Sequence, residues 1–530
     1  MTLSVVGLFA VLLIVYLIIS VGRRDSKLPP GSWTKETVLN AYADHLGPPT
    51  LPIIGNLFAE WAKEYGEIFS LKLGPATSIV LTSPRLVKQL VDKKSSIYSH
   101  RPDSYVGYDI ISQGDHLLLM QYSDQWRTCR KLVHQFFMES MVLKTHLAVV
   151  DAEAVQLVRD LIVQPQDHMA HPKRFSNMYG SRTPDINTTH MKKLYALMEI
   201  WSKVMEPGNA PPVDVFPFLK YLPEKLFGNW RSRAQNVSKE MNSLYDEWLN
   251  RVVDRRSTLG SRNCFLDRVL DQEDSGKLSL NRHAVYFLCG TLMEGGSDTT
   301  SSIIVAFIHA MTKWPSVMKK AQAEIDAVIG EDRSPTWEDY AQLPYVAACV
   351  KETMRWRPVV PLGFAHLVSE DDTIDGMTIP KGSQIFVNAF GMQHDSQRFP
   401  DPDTFNPDRY AGVTQLASEL ANGDWEKRDH YGYGSGRRLC PGIHLAERSL
   451  FLAFAKILWA LNIGPGVDSA NEVIKPDVSN ETAYSSGFLV CAEKYPCRIT
   501  PRSQTRKETI VREFDKATRE VFVEFSNVKV

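Results

Sequence analysis

The chain has 530 residues, 44% hydrophobic and 23% charged, with 60 Lys and Arg against 61 Asp and Glu. That balance excludes a disordered or collagen-like chain, and a net charge of −1 lacks the broad basic field of a nucleic-acid binder. Seven cysteines without a CxxC pair exclude a dense disulfide framework or a familiar zinc cluster, and suit a reducing compartment.

Residues 1–22 open with an apolar run, Leu3 to Val21, interrupted only by Ser4, Gly7, Tyr16 and Ser20. As a helix it spans close to the ~30 Å hydrocarbon core. Arg23 and Arg24 follow it, so the run reads as an uncleaved transmembrane anchor with the remainder cytoplasmic. A cleavable signal peptide would carry its charge before the run. The sequons at Asn187, Asn236 and Asn480 are then inert matches. Residues 23–50 form a polar, proline-punctuated linker, and 51–530 show no repeat and no second boundary.

Phe69 to Thr82 reads as a β-hairpin, and Ser83-Pro84 as the cap of a short amphipathic helix. A helix is expected over Gln125 to Phe137, carrying Trp126 and Arg130 four residues apart. From Lys144 to about Val350 helical patterning dominates, broken at Pro207–Pro223, where Val213 to Leu222 forms an apolar loop suited to lipid. The longest helix runs from Arg282 to Trp314, capped by Asn281 and stopped by Pro315. Its middle reads Gly295-Gly296-Ser297-Asp298-Thr299-Thr300. Each glycine weakens a helix by roughly 1 kcal/mol relative to alanine, so the pair implies close approach or distortion; a kinked core helix with a back-bonded threonine is the alternative. A helix entered at Pro344 places Glu352 and Arg355 on one face, a pairing of little weight by itself. Short strands return near Thr378–Val387, and the tail 506–526 sets Ile510, Phe514, Ala517, Val521 and Phe525 on one helical face. The class is mostly α with small β-sheets (α+β).

The run Tyr433-Gly434-Ser435-Gly436-Arg437-Arg438-Leu439-Cys440-Pro441-Gly442 carries the chemistry. Glycines and a proline shape a turn whose amides can point at the sulfur. Arg437 and Arg438 supply positive charge, and an apolar helix follows from Ile443. A cysteine so placed favours the thiolate that binds metal, the loop of a thiolate-ligated haem; the alternative is a buried structural thiol.

The run resembles the haem-binding signature of the cytochrome P-450 family, Phe-x-x-Gly-x-Arg-x-Cys-x-Gly. Gly436, Arg438, Cys440 and Gly442 fall in register, with Tyr433 in place of phenylalanine. Gly295 to Thr300 resembles the family's oxygen-activation motif, Trp126 and Arg130 its Trp-x-x-x-Arg, and Glu352, Arg355 and Arg409 its buried ion cluster. The wording of several stretches is most like fungal members of secondary metabolism, and residues 32–47 are an insertion. The resemblance implies the cytochrome P-450 fold over 51–530 and a haem b (iron-protoporphyrin IX) ligated by Cys440. Trp126, Arg130, His366 and Arg438 would hold its propionates, although His366 also reads as a histidine on a strand edge. It implies that Asp298 and Thr299 deliver protons while one oxygen atom from O2 enters an apolar small-molecule substrate. Electrons would come from an NADPH-dependent reductase docked on a basic face around Arg130, Lys131 and Arg437. The setting implied is the endoplasmic reticulum membrane, with no nucleic acid involved. A haem-thiolate isomerase or dehydratase, or a non-catalytic haem-binding protein, is the alternative.

Overall fold

The computed structural model describes residues 27–30, 51–73, 75–174, 188–206, 208–278, 280–485 and 489–525. The expected anchor 1–22 and the insertion 32–47 lie outside them. Among the described residues, no helix is long and apolar enough to cross a membrane. Residues 27–30, read as linker, dock on a sheet. The Pro30 carbonyl accepts from the Ser70 amide (2.9 Å), the Lys27 carbonyl from the Thr378 amide (2.8 Å), and Leu28 is buried.

Helix α1 (Leu51–Tyr65) leads into strands β1 (Ile68–Leu73) and β2 (Ala76–Leu81), the expected antiparallel hairpin, with Ile68 opposite Leu81. Ser83 begins the next short helix, but its hydroxyl does not cap it. It bonds Glu67 (2.6 Å), a carboxylate that also pairs with Arg85 (2.7 Å). The helical core follows as α2 (Asp124–Phe137), α3 (Leu147–Val163), α4 (Thr189–Met205), α5 (Trp230–Leu259), α6 (Arg282–Lys313) and α7 (Pro344–Trp356). Strands β3 (His366–Leu367), β4 (Asp372–Ile374), β5 (Met377–Ile379) and β6 (Gln384–Val387) come next, then α8 (Ile443–Ala460), β7 (Leu461–Pro465), β8 (Cys497–Pro501) and α9 (Gln504–Glu520). The larger sheet has the order β1-β2-β6-β3, with β2 parallel to β6. Helices dominate and the sheets are small, as expected.

Helix α6 starts where its sequence dictates: the Asn281 side chain accepts from the Ala284 amide (2.7 Å), and the helix ends just before Pro315. It runs unbroken through Gly295-Gly296. Helix α8 is buried on all sides from Leu450 to Ala460 and stacks Phe454 on Phe307 of α6, with ring centroids 3.8 Å apart. An all-round apolar helix of this kind is the centre of a large core. The tail differs from expectation. The helix ends at Glu520 and the chain turns into a short 3-10 helix, with Phe522, Phe514, Ala517 and Val521 packed together with Ala152. All seven cysteines are unpaired.

The ion cluster forms as expected and ties α7 to the segment leading to the cysteine loop. Arg355 donates to both Glu352 oxygens (2.7 and 2.8 Å) and to the carbonyls of Gln393 and Pro402, while Arg409 lies 3.5 Å from Glu352. The Asn406 amide donates to Glu352 as well (2.8 Å), and Glu352 and Arg355 are fully buried. Removing the shared anion leaves two guanidiniums without a counter-charge, which costs about 3–5 kcal/mol. Glu352→Gln in the full chain is therefore expected to lower the unfolding free energy by that amount, read as a lower denaturant midpoint with an unchanged m-value, and a loss under about 1 kcal/mol would contradict the assignment.

Candidate active site

The cysteine loop is shaped by two left-handed glycines, Gly434 (φ +74°) and Gly436 (φ +62°). A Cβ at Gly436 would lie 2.3 Å from the Val91 carbonyl, and the Gly436 amide donates to Asp92 (2.7 Å), so only glycine fits where the loop meets residues 91–92. The Cys440 amide donates to the Tyr433 carbonyl (2.8 Å), closing the turn just before α8 begins at Ile443. Burial pushes the Cys440 thiol up; the Gly442 amide, pointing at the sulfur, and the Arg130 charge pull it back down. A buried thiol of this kind becomes a thiolate when a metal ion takes its proton's place.

The charge that reaches the sulfur is not the one the sequence suggested. Arg437 turns outward onto the Tyr122 hydroxyl and ring. Arg438 turns inward, over the Trp126 ring (4.3 Å), and donates to the carbonyls of Ser99 (2.9 Å) and Met120 (2.6 Å). Arg130, on α2, donates to the Leu439 carbonyl beside Cys440. Consecutive residues of the short turn Gly436–Arg438 point different ways, whereas one turn of α2 brings Trp126 and Arg130 to the same face.

A third guanidinium, Arg101, escaped sequence reasoning; it is buried, whereas Arg130 and Arg438 are half-buried. Arg101 donates to the carbonyls of Leu118 (3.0 Å), Phe364 (2.8 Å) and Ala365 (2.7 Å). Burial pushes Arg101 down to about 9; burial, then the neighbouring Arg101 and Arg130, push Arg438 down to about 8. The acceptors of all three are backbone carbonyls, and no carboxylate of the described residues balances them. No spacing rule could have grouped residues 101, 130 and 438; only the fold does. His366 lies with them but is not a cation. Its Nδ1 donates to the Tyr98 carbonyl (2.7 Å), it pairs with Ile385 at the edge strand β3, and burial, then Arg101, hold it down at about 3. Of the His366 ring, Nε2 is the atom not taken up by the bond to Tyr98.

Helix α6 carries Asp298 and Thr299 apart from this cluster. A Cβ added to Gly295 would meet no atom within 4 Å, so the buried helix opens at this point. The Thr299 hydroxyl donates to the Gly295 carbonyl (2.7 Å), the back-bonded arrangement, leaving its oxygen lone pairs to accept from a further donor. Burial pushes the Asp298 carboxyl up; Lys173 opposes and Glu294 reinforces the shift. A carboxyl whose proton is bound more tightly than usual is suited to giving that proton.

These residues fit an iron porphyrin: a sulfur ligand with an amide and a cation behind it, and guanidiniums without counter-anions where a dicarboxylate belongs. The profile of the Cytochrome P450 family matches residues 50–482. The chain is 51% identical over 497 residues to the cytochrome P450 monooxygenase patH of Aspergillus clavatus, covering 91% of this chain and 93% of that one. It is 47% identical to the cytochrome P450 monooxygenase yanC of Aspergillus niger, covering 95% of each. Among solved structures, a zebra fish cytochrome P450 determined with abiraterone superposes with a TM-score of 0.66 at 22% identity, over 85% of this chain and 100% of that one.

Tyr433, the one departure inside the cysteine signature, is half-buried, with its hydroxyl buried and unpartnered among the described residues. Leaving such a group unpaired costs more than removing it. Tyr433→Phe is expected to stabilise the protein by about 1 kcal/mol, read as a higher chemical-denaturation midpoint with haem content unchanged.

Proposed function

The chain belongs to the cytochrome P450 family and is an oxygen-incorporating oxidoreductase, and from that premise we propose that it inserts one atom of O2 into a small-molecule substrate, using haem b on Cys440 and electrons from an NADPH-dependent reductase. The observation that carries this reading is the juxtaposition of the Cys440 loop with three guanidiniums, Arg101 buried and Arg130 and Arg438 half-buried, whose acceptors are carbonyls and not carboxylates. When bound, the haem supplies the metal-centred oxygen chemistry. The protein's residues do the rest. Cys440 ligates, and the Gly442 amide and Arg130 disperse its charge. Arg101, Arg130 and Arg438 take the propionates, with Trp126 beneath Arg438 and the His366 Nε2 alongside. Asp298 moves a proton toward the open stretch of α6 and the Thr299 oxygen steadies it there. The acid–alcohol pair favours this reading over an isomerase, a dehydratase or a non-catalytic haem protein, none of which needs proton delivery beside O2.

The substrate arrives from a membrane in this reading, which rests on the apolar run 1–22 and on an exposed apolar patch. Residues 217–227 form two short 3-10 turns on which Phe218 is 62% exposed, Tyr221 88% and Leu226 71%, so a patch of this size favours an interfacial contact. With the anchor in the endoplasmic reticulum membrane, the catalytic domain faces the cytoplasm. Lys131 and Arg437, both exposed, are the cations left for an acidic reductase, since Arg130 turns inward.

The purified full chain is expected to give a thiolate-type Soret shift in the reduced carbon-monoxide difference spectrum, and a folded, haem-loaded protein without it would overturn the proposal. Thr299→Ala is expected to keep that shift while lowering product formed per NADPH consumed by at least about tenfold. Unchanged coupling would remove Thr299 from proton delivery.

A further inference from the structure

A second polar cluster, which oxygen activation does not use, sits where the 103–120 segment packs on α6. Four residues of α6, His283, Phe287, Gly290 and Glu294, recur at spacings of four, three and four and so share one face. The two polar ends of this stripe meet two adjacent residues of the segment in reciprocal fashion. Asp115 accepts from His283 Nδ1 (2.6 Å), and His116 Nε2 donates to Glu294 (3.0 Å). Gln125 donates to the other Asp115 oxygen (2.6 Å), so the segment is held on both sides of His116. Between them, the missing side chain of Gly290 lets the Tyr245 ring lie where a Cβ would be (2.3 Å), and the Tyr245 hydroxyl donates to the second Glu294 oxygen. Tyr245 and His116 thus give each carboxylate oxygen of Glu294 a donor.

This arrangement fixes the state of His116. Its Nε2 carries the proton that Glu294 accepts, and in the neutral ring Nδ1 then presents a lone pair. That atom is buried and without a partner, in a side chain only 1% exposed. The ring lies against Trp201 of α4 (centroids 5.6 Å, interplanar angle 14°), and Gly107 of the same segment is pressed on Met205. The ring is stacked on an aromatic side chain and held by Glu294, and its Nδ1 is unfilled, as is Nε2 of His283 at the far end of the stripe. The stripe's polar end, Glu294, immediately precedes Gly295, where α6 opens, and stands one turn before Asp298. A pocket that is mostly apolar with a few fixed polar groups is how a small molecule is oriented.

We infer that His116, held by Glu294 and Tyr245, is a specificity-determining acceptor that binds a hydroxyl of the substrate. On the monooxygenase reading above, the substrate is then a small hydroxylated molecule and not a plain hydrocarbon. The hydroxyl donates to Nδ1, and the molecule is held by that end while another of its carbons faces the open stretch at Gly295. Because Nδ1 is covered in the ligand-free protein, the substrate reaches it when Trp201 or the 103–120 segment shifts aside.

The test uses the full-length haem-loaded enzyme and matched probes: 4-alkylphenols with one to four alkyl carbons, their methyl ethers, and the corresponding alkylbenzenes. Binding is read from the spectral shift on titration. At least one phenol is expected to bind about tenfold or more tighter than both its ether and its hydrocarbon. In His116→Phe that preference falls to about one, with the carbon-monoxide spectrum unchanged. Tyr245→Phe, which keeps the ring and removes one donor from Glu294, reduces the preference partially, and serves alone if His116→Phe does not load haem. Equal affinities across each matched set, no binding by any phenol, or a preference that survives both variants would overturn the inference. A protein with the thiolate spectrum but no hydroxyl preference fails only this inference, whereas loss of the thiolate spectrum in folded wild-type protein fails the monooxygenase reading itself.

Discussion

A guanidinium taken out of water must find an anion or enough dipoles to replace its hydration, and this protein solves that problem in two different ways. Around Glu352 the solution is internal: one carboxylate serves Arg355 and Arg409, and the remaining donors go to the carbonyls of Gln393 and Pro402. Around Arg101, Arg130 and Arg438 the protein supplies only carbonyl dipoles, drawn from residues 99, 118, 120, 364, 365 and 439. Five separate chain segments converge to make that second set. The cluster therefore organises the fold near the cysteine loop while leaving its net charge unmet, and an unmet buried charge is the strongest sign that an anionic group belongs beside it.

How legible this was in the sequence depended on whether the chemistry imposes a spacing. The cysteine loop, the Asn281-capped helix with its glycine pair, and the Glu352–Arg355 pair were readable, because turns and helices convert spacing directly into geometry. Direction within a short turn was not: Arg437 and Arg438 are neighbours in sequence, yet one faces solvent and the other Trp126. Arg101 was invisible, since nothing local distinguishes it from a surface arginine until β3, the 103–120 segment and the cysteine loop close over it. The same holds for His116 and Glu294, which are 178 positions apart. The tail was misjudged because periodicity continues past the residue where the backbone turns.

The glycine pair of α6 has a clearer meaning once the hydroxyls around it are seen. Thr299, Ser301 and Ser302 all bond back to carbonyls of their own helix, at Gly295 and Asp298. These bonds keep polar groups satisfied in a helix that is otherwise apolar and buried, and they occupy the carbonyls that would face the opening. The cost of two glycines, roughly 1 kcal/mol each, falls at this opening, where a Cβ on Gly295 would meet nothing within 4 Å. Immediately before that opening the stripe ends in a fully bonded carboxylate, Glu294. The helix thus changes from rigid polar support to open space within a single turn.

The charges also explain why the site should assemble as a unit. Of the three guanidiniums, Arg130 acts on the Cys440 thiol, opposing the upward push of burial, which is the larger effect. Two propionates and one thiolate would balance three cations. Neither half of that balance is favourable alone: the arginines are without carboxylates, and the sulfur does not ionise without a metal. On the proposed reading, binding of the porphyrin would be linked to loss of the Cys440 proton and would oppose the downward push that burial exerts on Arg101 and Arg438. On this argument the protein around the loop gains much of its stability from the cofactor, and the residues that hold the group are also the ones that need it.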